Sequence, residues 1–126
     1  MPFQCPNCSS QGSLRITASL ELPPDARSDE ISLQVVQCSN CNFCGLTVYE
    51  ELRRGAFNSE MVNHTGYYMH DGDQKSVVQM IKKCPKPADP RCSCSSHRKL
   101  GRKNNHGQWD GLDEIQSGSS FCMKLD

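Results

Sequence analysis

The chain has 126 residues, nine of them cysteine and four histidine, and the spacing of these thiols and imidazoles carries its most evident chemistry. Cys5 and Cys8 in "CPNC" and Cys38 and Cys41 in "CSNC" form two C-x2-C pairs. Each pair closes a tight turn whose backbone amides can hydrogen-bond thiolates, and two such turns supply the four ligands of a tetrahedral Zn²⁺ site. A second set, Cys84, Cys92, Cys94 and His97, lies within the fourteen residues "CPKPADPRCSCSSH" and offers three thiolates and one imidazole. His106, nine residues beyond His97, is the alternative fourth ligand. With four protein ligands apiece, neither set keeps the open position that zinc catalysis needs, so both read as structural and the expectation is two Zn²⁺ per chain.

Cys44 follows Cys41 at the same spacing, and Cys38, Cys41 and Cys44 together suit an iron–sulfur or redox centre. That reading leaves Cys5 and Cys8 unused, so Cys44 is expected to be a small buried side chain beneath the second turn. Cys122 receives no role. A disulfide framework is disfavoured: the count is odd, the cysteines cluster at short spacings, and "MPFQCPNCSSQG" has no basic start followed by an apolar run. No segment approaches the roughly 18 apolar residues of a membrane span. These features point to a cytoplasmic, reducing setting and to no membrane partner.

The elements that must position these residues are readable from hydrophobic period. "LRITASLEL" alternates through Leu14, Ile16, Ala18, Leu20 and Leu22, "EISLQVVQC" through Ile31, Leu33 and Val35, and "GLTVYEEL" through Leu46 and Val48. Each reads as a half-buried strand, with "PPDARSD" a turn between the first two. Residues 55–72 have no clean period and are expected to be an ordered connection. "DQKSVVQMIKKC" reads as a helix capped by Asp71 or Asp73, with Val77, Met80, Ile81 and Cys84 on one face and Pro85 as its stop. From Cys84 the chain is loop-like, and "QSGSSFCMKLD" is expected to be a mobile tail. The resulting division is 1–54, 55–83, 84–112 and 113–126.

The stretch "CPNCSSQGSLRI…EISLQVVQCSNC", within residues 3–52, resembles the zinc-ribbon superfamily. The resemblance implies a three-stranded antiparallel ribbon with Cys5, Cys8, Cys38 and Cys41 as ligands, and it implies no chemistry. Asn42 stands where many ribbons have glycine, and asparagine tolerates the left-handed conformation such a position needs. The expected fold class is thus α+β: a small ribbon, one helix and a loop-rich second zinc module of the three-cysteine, one-histidine kind.

Fourteen bases balance fourteen acids, but unevenly. Residues 1–81 hold nine acids and five bases, whereas residues 82–106 hold eight bases and Asp89 alone. Metal held by several thiolates is anionic, which accounts for some of these cations. The remainder point to a non-catalytic module that associates with nucleic acid through segment 82–106. Arg98, Lys99, Arg102 and Lys103 would meet phosphates and Trp109 would stack on a base. The alternative is a protein–protein adaptor or accessory subunit of a larger complex. Catalysis around His64, His70 and Asp71 lacks a nucleophile motif, a phosphate loop or paired carboxylates, so no enzyme and no small-molecule substrate is expected.

Overall fold

The computed structural model describes residues 3–25, 29–52, 61–69, 71–109 and 117–122. Its frame is an antiparallel sheet of five strands in which sheet order follows chain order. The strands are β1 (Leu14–Leu22), β2 (Glu30–Cys38), β3 (Cys44–Leu52), β4 (Met61–Met69) and β5 (Ser117–Cys122). Two helices, α1 (Asp71–Lys83) and α2 (Ser95–Leu100), come between β4 and β5 in sequence. The class is α+β but sheet-rich, and the described residues form five strands in place of the expected three.

The first three strands lie where the alternation places them, with one change of consequence. β1 pairs with β2 as Ile16↔Val36 and then Ala18↔Val35, so two residues of β1 are spent against one of β2. This bulge turns the strand over. Leu14 and Ile16 therefore lie on the face of Val36 and Cys38, while Ala18, Leu20 and Leu22 lie on the face of Ile31, Leu33 and Val35. The unbroken alternation in the sequence suggests a single apolar face; the bulge divides it between two cores.

The larger core lies between the sheet and the helices. Leu20, Leu22, Ile31, Leu33, Val35, Leu46 and Val48 meet Val77 and Ile81 of α1, Leu100 of α2, Cys84 and Trp109. α1 thus buries the face its period indicates, and Lys82 and Lys83 occupy its last turn, where cations meet the negative end of the helix dipole. The smaller core, on the opposite face, gathers Phe3, Cys5, Leu14, Val36 and Cys38, with Cys8, Cys41, Phe43 and Phe121 packed against it.

β4 occupies the stretch without a clean period, and the reason is visible in its partners. His64, Gly66 and Tyr68 share one face while Thr65, Tyr67 and Met69 share the other, by register with β3. Polar and aromatic groups stand on both faces, so neither reads as apolar. Gly66 is needed because Phe121 of β5 lies over it: a Cβ there would stand 2.2 Å from the Phe121 ring. β5 itself falls in the segment expected to be a mobile tail. Its Ser- and Gly-rich sequence has little strand propensity, and its strand order comes from pairing with β4, including Gly66↔Phe121 and Tyr67↔Ser120.

As the outer strand, β1 presents an edge that is covered at both ends. Phe3 and Leu14 exchange backbone hydrogen bonds of 3.0 Å at one end, and the Glu21 amide donates to the Pro87 carbonyl (2.8 Å) at the other. Among the described residues the bulged middle is left open, and covering the ends of an edge strand in this way is a common means of keeping it from pairing with other chains.

Candidate metal centres

The first centre sits where the β1–β2 hairpin returns Cys38 beside Cys5. Cys5, Cys8, Cys38 and Cys41 bring their sulfurs within 4.8 Å of one another, a group that could hold a metal ion. Cys5 Sγ stands 3.7 Å from Cys41 Sγ, and Cys8 Sγ 3.8 Å from Cys38 Sγ. Four sulfurs at about 2.3 Å from a tetrahedral metal are about 3.8 Å apart, so the donor set fits.

The two turns are near copies of one another. The Asn7 amide donates to Cys5 Sγ (3.4 Å), and the Asn40 amide to Cys38 Sγ (3.3 Å). Each asparagine also reaches across with its side chain: Asn7 Nδ2 to Cys41 Sγ and Asn40 Nδ2 to Cys8 Sγ, both 3.5 Å. Ser9 N donates to Cys5 O and Asn42 N to Cys38 O, with Ser9 and Asn42 at φ of 61° and 63°. The left-handed Asn42 was foreseeable, whereas its counterpart Ser9 has no glycine- or asparagine-like signal. The shared Asn of "CPNC" and "CSNC" was the available sequence cue to the crossed amides.

Cys44 is not in the group. It is half-buried, and its thiol points to the Asn42 carbonyl at 3.7 Å, so Cys38, Cys41 and Cys44 do not form one cluster.

The second centre is built by the turn-rich segment after α1. Cys84, Cys92, Cys94 and His97 also lie within 4.8 Å by their ligand atoms and could hold a metal ion. Cys84 Sγ is 3.7 Å from Cys92 Sγ, and His97 Nδ1 is 3.1 Å from Cys84 Sγ and 3.3 Å from Cys94 Sγ. The sequence reads as loop here, yet α2 forms. Cys94 is its N-cap, its sulfur accepting the His97 amide, and Gly101 closes it by donating to His97 O. One thiol is thus both helix cap and candidate ligand.

His97 Nε2 lies 2.9 Å from the carbonyl of Glu21, so Nε2 carries the proton and donates, leaving the Nδ1 lone pair for a metal. Glu21 thereby engages the second centre through both its amide and its carbonyl. His106 stands apart at the exposed tip of a turn closed by Asn104, whose Oδ1 accepts from the His106 and Gln108 amides. The group of possible ligands therefore contains His97 and not His106.

Each cluster mixes easily and poorly ionised thiols. Burial pushes Cys5 up to about 12 and Cys84 up to about 11. Burial also opposes ionisation of Cys38, but Ser13 and the Cys41 and Asn40 amides outweigh it and bring this thiol to about 6. Cys94 likewise falls to about 6, its burial outweighed by the His97 amide and ring. A cation entering either cluster would displace the protons still held by the other thiols.

Around the second centre, Lys82, Lys83, Lys86, Arg91, Arg98, Lys99, Arg102 and Lys103 are all exposed, while Cys84 and His97 are buried. Trp109 requires a correction. It is 6% exposed, its indole donating to Leu100 O (2.7 Å) and its backbone amide to the buried Asp25 carboxylate (2.6 Å). The ring is spent in the core and is not presented to a base.

Of the residues weighed for catalysis, His70 and the Asp71 side chain lie outside the described residues. His64 packs edge-on against Phe3 and Tyr49, and its Nε2 is 3.0 Å from Gln34 Oε1. Cys5, Cys8, Cys38, Cys41, Cys44, Cys84, Cys92 and Cys94 are free thiols, and among the described residues no helix is long and apolar enough to cross a membrane. Compared with family models, with curated proteins and with solved structures, the chain matches none. The likeness to zinc ribbons rests on the ligand spacing and the hairpin.

Proposed function

We propose that this chain is a non-catalytic zinc module in which two structural Zn²⁺ ions hold a scaffold that associates with nucleic acid through segment 82–106. Zinc is the metal of choice for tetrahedral four-thiolate and three-thiolate, one-imidazole sets, and the closed count of ligands favours a structural role. The ribbon resemblance of residues 3–52 agrees with this assignment. A reducing, cytoplasmic setting suits the free thiols.

The observation that carries the nucleic-acid reading is the separation of charge from ligand: eight basic side chains face solvent around a centre whose Cys84 and His97 are buried. Zn²⁺ with three thiolates and a neutral imidazole has a formal charge of only −1, so the metal does not account for most of these cations. With Trp109 withdrawn into the core, the association is expected to be electrostatic and sequence-tolerant. Binding of the zinc-loaded chain to random single-stranded RNA, measured from about 50 to 200 mM salt, tests it. About four phosphate contacts predict a slope of log K on log salt near −3. A flat response would favour the adaptor reading, in which the chain docks to protein.

A further inference from the structure

Beside the second centre is an open cleft of about 400 Å³, lined by Pro23, Cys92, His97, Arg98, Gly101, Arg102 and Lys103. We infer that this cleft is a phosphate subsite that seats one nucleotide unit of the bound strand; the inference rests on the nucleic-acid reading above. Three of its seven lining residues are cations and none is an acid. A guanidinium presents paired donors that match two phosphate oxygens, and a lysine adds a point charge, so Arg98, Arg102 and Lys103 around one concavity form a phosphate reader. The volume lies within the range of small-ligand sites and exceeds what a bare phosphate fills, leaving room for the attached sugar.

The cleft is fixed by the metal-binding segment. Arg98 directly follows the candidate ligand His97 on α2, and Cys94 caps that helix. At the other end, Gly101 closes α2 against His97. A Cβ at Gly101 would stand 2.6 Å from His97 O, so this part of the cleft is bare backbone that any larger residue would disturb. A backbone bridge between Lys103 and the buried Trp109 anchors the stretch that carries the third cation. The backbone that carries the three cations is thereby fixed before a ligand binds.

The test compares two double variants of the full zinc-loaded chain, Arg98→Gln/Lys103→Gln in the cleft and Lys82→Gln/Lys83→Gln on α1. Both remove two exposed charges, and retained zinc content shows that each is folded. Affinity for random single-stranded RNA should fall at least tenfold in the first and less than about threefold in the second. In nitrogen–proton NMR spectra, a nucleoside 5′-monophosphate should shift the Gly101 amide, whereas the unphosphorylated nucleoside should not. Equal losses in the two variants, or a Gly101 amide indifferent to the monophosphate, would overturn the cleft and leave the nucleic-acid reading standing. No RNA binding by the unaltered chain would overturn both.

Discussion

At the scale of single residues, Gly66 makes an exacting demand. Its missing side chain is the space the Phe121 ring occupies, so Gly66→Ala must displace the ring and with it the hold of β5 on β4. We expect a loss of about 1–3 kcal/mol in chemical denaturation, in the range of overpacked interiors. Unchanged stability would mean that the ring does not rest there. His64 makes the second residue-scale prediction. Burial lowers its pKa below the ordinary 6.5, so the folded chain binds fewer protons than the unfolded one. Its contribution to stability is therefore complete above pH 6.5 and lost as pH falls through the lower folded value. Melting temperatures of the zinc-loaded chain and of His64→Gln, followed from pH 7.5 to 5, isolate it. The natural chain should lose more on acidification, and parallel curves would contradict the assignment.

At the scale of elements, the second centre acts as a clamp on the β1 edge. Glu21 gives its amide to Pro87 and takes the His97 Nε2 proton on its carbonyl, so removing metal should free this edge before the sheet interior opens. Hydrogen exchange with a chelator present should expose the Glu21 amide while Leu46 and Thr47, on the central strand β3 and fully buried, stay protected. Equal protection of Glu21 with and without metal would contradict the clamp. The same elements show what the sequence could convey. β1 to β3 and α1 were legible because each carries apolar residues at a clear period. The bulge between Ile16 and Ala18 was not, since both halves of β1 keep apolar residues at alternate positions. β4 was hidden by having mixed groups on both faces, and β5 by drawing its order from β4 rather than from its own composition. α2 was hidden because its six residues bury only Ser96, His97 and Leu100. Both ligand sets were legible because metal coordination constrains spacing. The role of Trp109 was not, because proximity in sequence to a basic run says nothing about which way a ring faces.

At the scale of the molecule, the two centres lie at opposite ends of β1 and serve opposite faces of the sheet. The first joins the small core of Phe3, Leu14 and Val36, and the second completes the large core through Cys84 and its neighbours Cys92 and Cys94. Leu14 and Glu21 are separated by roughly 23 Å of strand, so neither centre can substitute for the other. With metal bound as proposed, a chain with 36% hydrophobic residues would gain at each end a cross-link that a larger core would otherwise supply. For structural zinc such a gain amounts to roughly 10 kcal/mol or more, and on the proposed reading this is what would hold the basic segment 82–106 in shape. The central claim is thus the presence of two metal-held centres, and elemental analysis of the purified chain, with native mass spectrometry to count ions, tests it most directly. Two zinc ions per chain is the predicted result. One ion, none, or iron in their place would contradict the account.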